Sequence, residues 1–264
     1  MNFKKVLLCY CVGVPICVVA RIFQIVFATE YNTGFFARGK ETVGWLLLAL
    51  IGAACVAFGV MAFKAYKTPE KPPKIGLALS ITSVFAAVML VYELICENMP
   101  LTMPAWQVTA VKFVTLLCAV YFLALSLQSF TEFKMPLLAH AVPCVYAIIK
   151  TIATFINISS LPLISDNILL VAGYCLLMLF FINYGKLYNR VDGESGFRKV
   201  LACGLAAANL CISQSLSVVV INVFESKAYL HADLSVMGSL LAIGLFITVF
   251  IYDYFYKTEK EEHI

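Results

Sequence analysis

Eight stretches of this chain stay apolar for about the 20 residues that a helix needs to cross a bilayer. They run over residues 6–27, 43–66, 75–95, 106–130, 136–155, 167–188, 200–223 and 234–256. Hydrocarbon offers the backbone no hydrogen-bond partners, so each crossing must satisfy its own and be a helix. The expected fold is therefore all-α, an integral membrane protein of about eight transmembrane helices. Composition agrees. Hydrophobic residues make up 62 % of the chain and charged residues 13 %, against about half and a quarter in soluble domains. Charge this sparse cannot cover a water-facing surface. The connecting loops are short, so residues 1–264 read as a single polytopic membrane domain.

The first stretch follows Met1–Lys5 directly and continues to Phe27 with Arg21 inside it. It has no small-residue cleavage site after a short apolar core, and it reads as a retained helix. Of the nineteen Lys and Arg residues, thirteen flank one side of the alternating spans, three flank the other, and Arg21, Lys112 and Lys150 fall within spans. Cations collect on the cytoplasmic side, so both termini are expected in the cytoplasm of a cell-membrane protein. Tyr66, Tyr188, Tyr252, Tyr254 and Tyr256 at the same ends suit an interfacial aromatic belt.

The two halves, 1–134 and 135–264, resemble each other faintly. Pro15, Arg21 and Phe27 match Pro143, Lys150 and Phe155; Lys64 matches Lys186, Lys74 matches Lys199, and Leu116 matches Leu240. These offsets favour a duplication into two parallel four-helix repeats related by an axis along the membrane normal.

Ionisable groups inside a span are costly and mark functional sites by default. Arg21 lies about 9 Å from the outer end of helix one, Lys150 about 7–8 Å from that of helix five, and Lys112 about 9 Å down helix four. Glu93 sits just inside the outer end of helix three, and Gln24 nearly one turn beyond Arg21. Three cations against one carboxylate suggest an outward-facing cationic vestibule for a small anionic or zwitterionic solute. Two structural readings stand beside it. The cations can snorkel to lipid headgroups, or Glu93 can pair with Lys112 or Arg21 as a simple bridge. Pro15 and Pro143 read as mid-depth prolines that free backbone carbonyls, as in the broken helices of transporters, or that merely kink their helices. Helix seven carries Asn209, Ser213, Gln214, Ser215, Ser217 and Asn222. Such side chains usually bond to neighbouring helices; Gln214 and Asn209, near mid-span, are the exceptions worth following as ligands.

Other features read as structural. The ten cysteines lie almost wholly in apolar segments and suit reduced packing residues. The loop from Lys67 to Lys74 is stiff and basic, as topology and anionic lipid require. Asn157-Ile158-Ser159 matches a glycosylation acceptor. No phosphate-binding loop, dinucleotide fingerprint, Cys-x-x-Cys or His-Glu-x-x-His occurs, and His140, His231 and His263 are dispersed, so no metal, haem or other cofactor is expected. Asp166, Asp192, Asp233 and Asp253 fall at helix ends or in loops, which argues against aspartate-based chemistry in the membrane. A net charge of +4 is too small to suggest nucleic acid.

A solute transporter or permease component is the leading expectation, with Arg21, Gln24, Glu93, Lys112, Lys150 and Gln214 as candidate ligand-binding residues. Its partners would be membrane lipid and the solute. The alternatives are a membrane enzyme acting on lipid or lipid-linked substrates, with Glu93 as acid or base, and a non-catalytic scaffold or sensor partner bound to another membrane subunit.

Overall fold

Each apolar stretch becomes one helix in the computed structural model, which describes residues 3–30, 33–64, 76–97, 103–131, 135–158, 165–189, 193–224 and 233–256. The helices are α1 (Phe3–Phe23), α2 (Glu41–Lys64), α3 (Leu77–Cys96), α4 (Ala105–Leu127), α5 (Val142–Ile158), α6 (Ser165–Tyr188), α7 (Gly193–Phe224) and α8 (Leu234–Ile251). All eight are long and apolar enough to cross a membrane, the pattern of a multi-pass membrane protein. Their successive up-and-down runs define a proximal end, where α1 begins and α8 finishes, and a distal end. The loop from Lys67 to Lys74, the serine of the Asn157-Ile158-Ser159 motif, Asp192, His231 and His263 lie outside the described residues.

Two boundaries differ from expectation. Helix seven starts at Gly193, seven residues before its apolar stretch, because hydropathy ends where lipid ends while backbone hydrogen bonding continues. Helix five starts at Val142, after a 3-10 turn over Leu137–Ala141. Pro143 thus occupies the first turn of α5, where its missing N–H costs nothing. Pro15 lies inside α1. The two prolines are therefore not equivalent mid-helix breaks of the kind found in transporters.

The helices α3, α4, α5, α6, α7 and α8 pack each against the next, and α8 packs back on α3. They form a closed ring of six. Helices α1 and α2 pair with each other and lie outside the ring against α7. With α1, α2, α6 and α8 as neighbours, α7 is buried over most of its length, whereas α2 is largely exposed. The packing lends the duplication no support: α7 touches four helices extensively, while its would-be counterpart α3 does so only with α4 and α8.

Lipid tails are as apolar as leucine, so in a membrane close packing rather than water exclusion would hold such a bundle. Small residues on α7 allow it. A Cβ at Gly204 would come within 2.8 Å of Ile251 and 3.1 Å of the Phe180 ring. On the ring axis the filling is aromatic. Phe122 of α4 meets Phe246 of α8 at 5.1 Å and Phe181 of α6 at 6.3 Å between ring centroids. These three helices alternate around the ring, so their shared contact closes its middle.

Candidate functional site

Two buried ion-pair clusters occupy the distal half of the bundle. The first ties α1 to the ring. At the end of α1 the backbone widens into a π-helical turn, Gln24–Ala28, which starts three residues after Arg21. Arg21 is fully buried, and its Nη2 pairs with Asp166 Oδ1 in the first turn of α6. Its Nη1 donates to Gln24 Oε1 and, at 3.2 Å, to Ser165 Oγ. Gln24 Nε2 donates onward to the Gly44 carbonyl of α2 at 2.8 Å. Gln214 Nε2 of α7 reaches the Asp166 carbonyl at 3.1 Å, and Ser217 Oγ donates to the Val18 carbonyl at 3.1 Å. Four helices thus meet in one polar knot, which holds one cation and one carboxylate among the described residues. Within it, Arg21 Nε is buried without a hydrogen bond among the described residues.

The second cluster lies inside the ring. Lys150 of α5 pairs with Glu93 of α3, and its Nζ donates to Glu97 Oε1 at 2.6 Å. Helices α3 and α5 are not neighbours in the ring, so the pair spans its packed interior, the lumen. Tyr146, one turn before Lys150, donates its hydroxyl to both Glu93 oxygens at 3.3 and 3.2 Å. The ring of Tyr174 on α6 stands edge-on to that of Tyr146 at 6.2 Å. Tyr174 is wholly buried, and its hydroxyl makes no hydrogen bond among the described residues. Glu97 caps the end of α3 and is the only member open to the distal surface, its side chain 14 % exposed. Burial raises its carboxyl above the usual range; Lys150 pulls it back and Glu93 pushes it further up. One ammonium thus faces two carboxylates.

A third polar group closes the proximal end of the lumen. Tyr121 Oη and His140 Nδ1 share a hydrogen bond of 3.0 Å, and Tyr188 stacks on the imidazole at 4.5 Å. Tyr184 stands edge-on to it at 5.8 Å. The Phe122–Phe181–Phe246 contact separates this group from the Lys150 cluster.

The candidates therefore divide. Arg21, Gln24 and Gln214 converge on Asp166, and Lys150 and Glu93 converge with Glu97. Lys112 joins neither; it sits on the exposed face of α4 between Val111 and Phe113. A single vestibule holding all three cations is not formed, and the expected surplus of positive charge disappears: among the described residues the two buried cations face three carboxylates. Asp166 and Glu97 were the residues that span-by-span reading missed, because both stand at helix ends. A signal for Glu97 existed, since four residues after Glu93 puts both carboxylates on one helical face. Asn209 donates to Cys55 Sγ at 3.2 Å, an interhelical contact. The ten cysteines are all free thiols. No group of metal-ligating side chains occurs among the described residues.

No protein-family model, curated protein or solved structure matches this chain.

Proposed function

We propose that this chain is a solute transporter or permease component of the cell membrane. In this reading the α3–α8 ring surrounds the path, and the Lys150–Glu93–Glu97 cluster meets the solute. The observation that carries it is a cluster inside the ring in which, among the described residues, one ammonium faces two carboxyl groups, buried at Lys150 and Glu93 and partly exposed at Glu97. Burying ions without full compensation is costly. A purely structural bridge would do better balanced, as Arg21 with Asp166 is. The Lys and Arg distribution supports cytoplasmic termini, which puts the Glu97 opening on the outside. Polar groups at both ends of the lumen with an aromatic contact between them suit a carrier in a closed state. The retained negative charge favours a zwitterionic solute over a simple anion, a change from the expectation drawn from cations alone. The internal duplication rests on the sequence offsets alone.

The test is a thermal-shift screen of a small-solute library on purified protein, followed by uptake of the hits into proteoliposomes. A carrier is stabilised by its solute, by about 2.7 kcal/mol at a hundredfold excess over Kd, and accumulates it. A hit that binds without entering the vesicles argues against transport. A second reading, an enzyme acting on lipid, is favoured by a groove of about 270 Å³ between α4 and α5, lined by Trp106, Gln107, Val111, Ile149 and Ala153. It opens toward the bilayer, where a lipid substrate would enter. Turnover of added phospholipid by the purified protein would decide for it.

A further inference from the structure

The lumen cluster has the chemistry of an ammonium receptor that is occupied by the protein's own lysine. The Nζ of Lys150 is held between the carboxylates of Glu93 and Glu97, which sit one helical turn apart on α3. Tyr146 fixes Glu93 by donating to both of its oxygens, so that carboxylate cannot turn away. Beside it, Tyr174 is fully buried, its hydroxyl next to that of Tyr146 but in no hydrogen bond of normal geometry among the described residues, and within electrostatic reach of Lys150, Glu93 and Glu97. A buried hydroxyl left without a partner forfeits its hydration, so a visiting polar group would find a ready donor and acceptor there. The charge balance points the same way. Among the described residues two carboxylates share one ammonium.

We propose that the cluster binds a solute bearing a primary ammonium, which takes the place of the Lys150 Nζ between Glu93 and Glu97. The inference rests on the carrier reading and names its substrate class. A primary ammonium supplies three N–H donors, enough for both carboxylates and the Tyr174 hydroxyl. A quaternary ammonium has the charge and no donor. In a zwitterionic solute the carboxylate would follow the displaced Lys150. Displacement also explains why the site carries its own cation: the empty receptor never leaves two carboxylates facing each other in a dry lumen.

Ethylammonium is the minimal probe, with tetramethylammonium and acetate as controls at equal ionic strength. Thermal shifts are read on the full-length protein in detergent. Ethylammonium should stabilise the wild type and tetramethylammonium should not. Glu97→Gln should weaken ethylammonium about tenfold, the worth of one charge-assisted hydrogen bond. Lys150→Met removes the internal competitor and should bind ethylammonium about tenfold more tightly than the wild type. Binding should also weaken on acidification, because Glu97, with its raised pKa, takes a proton before an ordinary glutamate does. The ammonium assignment is overturned if Lys150→Met loses ethylammonium, if Glu97→Gln leaves it unchanged, or if no ammonium probe shifts the wild type. Acetate binding that depends on Lys150 would sink the ammonium class and leave the carrier reading standing. Ethylammonium bound as stated, but never transported into proteoliposomes, would sink the carrier and leave the receptor. Should Lys150→Met fail to fold, Lys150→Gln keeps the comparison.

Discussion

The Arg21 and Lys150 clusters use the same materials and spend them differently. Both bury a cation from one helix against a carboxylate from another, in the distal half of the bundle. Around Arg21, the other polar atoms among the described residues are neutral amides, two serine hydroxyls and backbone carbonyls that join α1, α2, α6 and α7. That knot is balanced in charge, and it anchors the outlying α1–α2 pair to the ring. Around Lys150 the added group is a second carboxylate, and it stands at the edge of the lumen. An excess charge there costs stability that a static joint would not need to give up. The contrast is between burial with matched charge and burial with a second carboxyl group at the distal surface, and the proposed function rests on the second.

The contrast can be broken most forcefully at Arg21. Arg21→Met leaves Asp166 buried without its cation, and removing one partner of a buried pair costs about 3–5 kcal/mol. Thermal melts should show a large loss, partly restored in Arg21→Met/Asp166→Leu, where no charge remains. A loss in solute binding with unchanged stability would mean that the anchor has been misread. A smaller effect is expected at Tyr146. Tyr146→Phe removes the hydroxyl that steadies Glu93, a hydrogen bond to a charged group worth about 1.5–3 kcal/mol. Ammonium binding should fall along with stability, whereas the Arg21 knot, which shares no partner with Tyr146, should be untouched. Unaltered binding in Tyr146→Phe would separate Glu93 from the site. The smallest effect belongs to Lys112. Lys112→Gln should leave both the melting temperature and ammonium binding unchanged, because its side chain lies on the exposed wall of α4. A marked loss would bring Lys112 back as a ligand.

Much of this site was legible in the chain, and the illegible part follows a pattern. Arg21, Gln24, Glu93, Lys150 and Gln214 stood out as polar groups inside apolar stretches, and all five are buried. Lys112 stood out for the same reason and faces outward. A long lysine stem crosses several ångströms of lipid to reach the headgroups, so a cation near a span's end carries no mark of its direction. Asp166 and Glu97 were passed over because a carboxylate at a helix end is ordinarily solvated. Only the neighbouring helices bury them. The offset between Pro15 and Pro143 was visible too, yet one lies within a helix and the other opens one, a distinction set by where backbone hydrogen bonding begins.

The sequence by itself determined the eight helices, because the length of an apolar run and the need to satisfy every peptide group in hydrocarbon are local properties. It also determined which residues are expensive to place there. The tertiary structure alone decided which helices close into a ring, which pair lies outside it, and which carboxylate answers which cation. The reason is the solvent. In water an apolar stripe tells a helix which face turns inward. In lipid the inside and the outside of a bundle are both apolar, and close packing chooses the face.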